Sequence, residues 1–126
     1  MARTYTVEVG GIEYKGDTAP AKDQFESLHI AMRTGLVAHL RDEPSEMALV
    51  AMMGGLTYDD VKRLVQLLVS NRIQRAEDSV PVAENLFGDN IQDYYVLIGR
   101  AVQENLGNFW KLHRPNTKPV AVEPKQ

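Results

Sequence analysis

His29, His39 and His113, the adjacent acids Asp59 and Asp60, and Asp89 beside Asn90 are the residues of this 126-residue chain whose types could support acid–base or metal chemistry. Their spacing does not join them. His29 and His39 stand ten residues apart on one predicted helix, whereas a helical metal pair needs a separation of one turn. Asp59 and Asp60 follow Thr57, and acids in the first turn of a helix have a simpler role, since they complement the helix dipole and its free N–H groups. Asp89-Asn90 stands ahead of the last predicted helix and is read the same way. The chain has no cysteine, which removes disulfides, thiolate metal sites and a cysteine nucleophile. No HExxH pair, Walker-type glycine loop or GxSxG elbow occurs. No catalytic residue, cofactor-binding residue or metal ligand is assigned, and the chain is expected to act by binding.

Composition narrows what it could bind. The chain is 44% hydrophobic and 25% charged, within the ordinary range of globular proteins. Its 14 basic and 17 acidic residues leave a net charge of −3, without the basic excess of a phosphate-backbone binder, so no nucleic acid partner is expected. The N-terminal Met-Ala-Arg-Thr-Tyr-Thr-Val lacks the apolar stretch of a secretory signal, and charges or glycines interrupt each apolar run before it reaches membrane-spanning length. A cytosolic protein without a membrane partner is the expectation.

The elements that must position any binding surface follow from periodicity. Tyr5, Val7 and Val9 alternate with polar residues, and a two-residue turn at Gly10-Gly11 would pair Val9 with Ile12 and Val7 with Tyr14 in a β-hairpin over about 4–16. From Pro20 the period changes: Phe25, Leu28, Met32, Leu36 and Leu40 form a helical stripe that Pro44 ends. Ser45 caps a short helix carrying Met47, Leu49, Val50 and Met53, which Gly54-Gly55 breaks. Thr57 caps a third helix with an inner stripe of Val61, Leu64, Val65 and Leu68, fading through Asn71 to Arg75. Residues 77–90 form a connector whose Val80, Val82, Leu86 and Phe87 should pack on the domain, and Pro81 argues against a central strand there. The last helix runs from Asp89 or Asn90 to about Leu112, and Pro115 stops it. The expected fold is mainly α: about four helices packed together, a short N-terminal β-hairpin, one domain over 1–114, and an extended flexible tail over 115–126.

Gly35, Gly99 and Gly107 fall inside predicted helices, which suggests close backbone approach to a neighbour. The methionines of the first two helices read first as core filling, with an adaptable binding surface as the alternative. On the last helix the adjacent Tyr94-Tyr95 and Phe109-Trp110 span more than one narrow stripe, so the helix is either a buried centre or a source of interface anchors. The candidate partner-binding or self-association residues are Met32, Met52, Met53, Tyr94, Tyr95, Phe109 and Trp110.

The stretch from Val80 to Trp110, with Phe87-Gly88 in the connector and Asn105, Gly107, Phe109 and Trp110 closing the helix, resembles the C-terminal half of tailed-phage tail assembly chaperones. The run from Leu56 to Leu68 is similar to that family's middle helix, so the resemblance covers about two-thirds of the chain, and the hairpin fits it less well. The resemblance implies a non-enzymatic, homo-oligomeric protein of the host cytoplasm, absent from the mature virion. Such a protein binds the tape measure protein, keeps it soluble and assists the tail tube protein to assemble around it. Two other readings stand beside it: another head–tail or tail morphogenesis component, and a small DNA-binding regulator built on 45–75 with Arg63, Arg72 and Arg75.

Overall fold

Gly10 and Gly11 adopt φ of +59° and +81°, the left-handed pair that a tight hairpin turn requires. In the computed structural model, which describes residues 2–40 and 43–112 apart from the side chains of 110–112, this turn joins β1 (Thr4–Val9) to β2 (Ile12–Asp17). Val9 pairs with Ile12 and Val7 with Tyr14, the register expected from the alternation. Tyr5, Val7, Val9 and Tyr14 face the core, while Ile12 at the turn stays largely exposed. The tail expected over 115–126 lies outside the described residues.

Among the described residues are five α-helices, where about four were expected, because the first predicted helix divides. Helix α1 (Ala21–Arg33) ends where the Thr34 hydroxyl donates to Ile30 O at 2.8 Å and Gly35 turns the chain at φ +80°. Helix α2 (Leu36–Leu40) then sets off afresh. The expected stripe is therefore broken: Leu36 and Leu40 are buried, but Phe25 is 78% and Met32 56% exposed. The inner face of α1 is instead Ser27, Ile30 and Ala31. Two of these are small, and the Ser27 hydroxyl is satisfied within the helix by donating to Asp23 O at 2.8 Å.

The caps fall where expected. Ser45 Oγ accepts from Ala48 N at 3.2 Å to start α3 (Glu46–Gly54), and Thr57 Oγ1 accepts from Asp60 N at 3.1 Å to start α4 (Tyr58–Leu64). Helix α4 runs on as a π-helical segment, Val65–Val69, which turns three successive residues, Leu67, Leu68 and Val69, into the core. Arg72 closes this segment by donating from Nε to Leu67 O at 3.0 Å and from its guanidinium to Asp23 of α1 at 2.9 Å.

The helix expected to fade through Arg75 instead becomes strand. Asn71 takes φ +63°, and β3 (Ile73–Arg75) pairs antiparallel with β2, giving a three-stranded sheet in the order β1-β2-β3. Beyond it Val82 and Phe87 are buried, the latter in the 3-10 turn Glu84–Phe87, so the connector packs on the core as expected.

Helix α5 (Ile91–Leu112) is the central element. Val96, Leu97, Ile98, Ala101, Val102 and Leu106 are all buried, and the helix touches β1, α1, α3, the π-helical segment and the 3-10 turn. Gly99 faces α3, and a Cβ there would come 2.8 Å from Leu49 Cδ2, so the close approach expected of a helical glycine occurs at this position. The polar exception in the sheet core is Tyr5, whose buried hydroxyl has no hydrogen-bond partner among the described residues. Burial first, and the Glu104 carboxylate behind it, push that phenol far above its usual pKa. Tyr5→Phe removes the orphaned group at nearly constant shape, and should raise the unfolding free energy by about 1 kcal/mol in a urea titration. A loss of that size would show that the hydroxyl has found a partner.

Candidate functional site

The acids and histidines are placed apart. Asp60 Oδ1 accepts from the Arg33 guanidinium at 2.7 Å, and that bond, with the Thr57 cap, holds its carboxyl below the usual carboxylate range. Asp59 is exposed beside it, His29 and His39 are exposed on separate helices, α1 and α2, and His113 lies outside the described residues. Among the described residues no three His, Cys, Asp or Glu side chains converge on a metal-sized site.

The fold assembles a polar cleft of about 940 Å³ lined by Arg3, Arg100, Gln103 and Glu104, and apart from it an apolar one that uses the candidate aromatics. A groove of about 470 Å³ opens between α4 and the N-terminal half of α5. Val61 and Val65 line it from one side, with Tyr94, Tyr95 and Ile98 from the other. Tyr58, 70% exposed, and Ile91, 55% exposed, complete its lining. Tyr94 is the best-anchored wall. Its ring stacks on buried Phe87 at 5.1 Å, Phe87 lies 6.0 Å from Tyr14 of the sheet, and burial raises the Tyr94 phenol pKa. Two charged residues share the lining: Lys62, whose ammonium lies 5.3 Å from the Tyr58 ring centroid, and Glu84 of the 3-10 turn.

A second, shallower apolar hollow lies at the other end of α5, where Phe109 and Leu106 meet Phe25 and Leu28 of α1. The candidate aromatics therefore divide between two surfaces, Tyr94 and Tyr95 in the groove and Phe109 in the hollow. The Trp110 side chain is outside the described residues.

The chain that builds this groove matches the sequence model of the family described as phage tail assembly chaperone protein, TAC, over residues 10–116. The chain belongs to that family. No curated protein and no solved structure matches it. The match takes in the connector, the groove and the whole of α5, and begins inside the hairpin turn.

The methionines of this tail assembly chaperone do not form one surface. Met53 is wholly buried and belongs to the core, Met52 is partly buried against it, and Met32 projects into solvent from α1. The three arginines that could have served DNA each hold an acid instead: Arg63 clamps Glu26 with contacts of 2.6 and 2.8 Å, Arg72 holds Asp23 at 2.9 Å, and Arg75 holds Asp78 at 2.7 Å. Sequence reasoning missed Tyr58, Val61, Val65, Ile91 and Ile98 as groove residues. Val61 and Val65 look like any inner stripe, Tyr58 extends that stripe by one turn, and Ile91 stands one turn ahead of the tyrosines. Those two extensions were the available signal.

Proposed function

We propose that this tail assembly chaperone binds the tape measure protein by seating apolar anchors of an amphipathic client helix in the α4–α5 groove, and so keeps the client soluble while the tail tube protein assembles. The supporting observation is the pre-formed groove itself: a stacked aromatic wall at Tyr94, with Tyr58 and Ile91 exposed in its lining. A helix offers side chains at i, i+3 and i+4 to such a groove, and rigid aromatic walls take them with little ordering entropy. The role is non-enzymatic, exercised in the host cytoplasm and absent from the mature virion. Several copies along one long client would gain from avidity.

Co-expression with the product of the largest neighbouring open reading frame tests this reading, by pull-down and by the soluble fraction of the client. Ile91→Asp is the informative variant. Position 91 opens α5, where an acid suits the helix dipole, so the fold should persist while a charge is placed on the groove. Client retention should fall by about tenfold or more, the loss expected of an interface hot spot. Retention equal to that of the unmodified protein removes the groove from the reading. A client neither bound nor solubilised by either protein removes the tape measure itself.

A further inference from the structure

The sheet treats its two edges differently. Beyond β3 the segment 80–82 closes the ladder: Arg75 N donates to Val80 O at 2.8 Å and Val82 N to Ile73 O at 3.0 Å, with Pro81 bridged to Gln74 between them. Proline has no N–H to offer a further strand, so this edge is finished. The edge at β1 is not. The two-residue turn makes Val9, Val7 and Tyr5 the residues that bond to β2, and the pattern continues where Thr18 N donates to Arg3 O at 2.8 Å. The backbone N–H and C=O groups of Thr4, Thr6 and Glu8 therefore point away from the sheet, with no hydrogen-bond partner among the described residues. Unlike most solvent-facing edges, this six-residue strand carries no proline and no lysine, and Glu8 is its one charge.

We propose that β1 is a self-association edge, across which a second copy of this chain adds its own β1 antiparallel, centred on Thr6. The strand is complementary to itself in that register. Thr6 faces Thr6 of the second copy, and Thr4 of each copy faces Glu8 of the other, so the outward groups of all three residues satisfy one another in about six hydrogen bonds. The charges agree with it: each Glu8 meets a threonine and never its own counterpart, and a threonine pair is a favourable cross-strand neighbour. On the inner face Tyr5 of one copy comes beside Val7 of the other, an aromatic–β-branched pair that carries the buried layer across the junction. A one-residue shift would turn the pleats against each other, and a two-residue shift would leave outward groups unpaired.

Self-association at this edge is independent of the client groove, and sedimentation velocity on the full chain across the micromolar range tests it. The unmodified protein should associate reversibly. Thr6→Pro deletes an N–H that nothing inside the fold uses, so association should be lost while the far-UV spectrum and melting transition persist. Thr6→Glu and Thr6→Lys should each weaken self-association by about fivefold or more, since each sets like charges face to face. An equimolar mixture of the two should restore it, because position 6 meets position 6. If Thr6→Pro proves unfolded, the Glu and Lys variants carry the test alone. A monomeric unmodified protein, a folded Thr6→Pro variant that still associates, or a mixture no better than its components overturns the proposal. An Ile91→Asp protein that loses the client but still self-associates would leave the edge proposal standing and locate client binding in the groove.

Discussion

Asn105→Ala should lower the unfolding free energy by about 2 kcal/mol, read as a fall in the urea midpoint with an unchanged slope. Asn105 lies buried on α5, and its amide works in two directions. Oδ1 accepts from the backbone N–H of Ala19 at 2.7 Å, and Nδ2 donates to Ala101 O at 2.9 Å. The first bond matters more. Ala19 sits in the crossing from the sheet to α1, is itself buried, and has no other acceptor for its N–H among the described residues. Ala101 O loses less, because within a regular helix it also receives the N–H four residues on. Alanine at 105 thus strands a buried donor, and the penalty is that of an unmade hydrogen bond more than of a lost contact. Gln24 Nε2 donates to the same oxygen at 3.5 Å, so the amide as it stands offers Ala19 no acceptor. A change below about 0.5 kcal/mol would mean that water enters, or that the Gln24 amide turns its Oε1 inward, and takes the bond. In the stretch that resembles the chaperone family, Asn105 thus serves the fold by fixing α5, which carries half the groove, to the connection between β2 and α1.

The elements legible in the sequence were those decided by neighbours along the chain. A glycine pair between alternating segments specifies a turn and a register at once, and Val9 facing Ile12 follows. Ser45 and Thr57 act on N–H groups three residues away, so their caps need no knowledge of the rest of the fold. Where tertiary contacts chose, the pattern misled. Phe25 and Met32 satisfy a helical stripe, yet the turn at Gly35 frees α1 to present Ser27 and Ala31 instead, small residues that let it lie close on its neighbours. Ile73–Arg75 is three residues long, too short for alternation to register, and becomes a strand because β2 is there to receive it. The candidate surface was legible only in part for the same reason. Adjacent tyrosines announced an aromatic face on α5, but the groove needs α4 beside it, and nothing local pairs Val61 and Val65 with Tyr94.

Gly99→Val should destabilise the protein by about 3 kcal/mol, and Leu49→Ala made in the same chain should return part of that loss. A Cβ on residue 99 would lie 2.8 Å from Leu49 Cδ2, 3.5 Å from its Cγ and 3.7 Å from its Cβ, so the collision is with a whole side chain and not with its tip alone. Leu49 is completely buried and cannot swing into solvent. Alanine at 99 is the milder probe: it gains about 1 kcal/mol of helix propensity over glycine, which offsets much of the overlap, whereas valine adds a branched carbon at the tightest point. Leu49→Ala alone should cost about 3 kcal/mol through the cavity it leaves. In the double variant the valine methyls occupy that cavity, so the combined loss should fall short of the sum by about 1–2 kcal/mol, the coupling expected of residues in contact. Losses that simply add would place the two side chains apart and contradict this docking of α3. The closeness matters beyond stability, because α3 is a nine-residue helix with apolar side chains on every face and contributes Leu49 and Met53 to the core. Gly99 lets such a short helix seat deeply on α5, and a bulkier residue there would lift it and loosen the element that carries the groove.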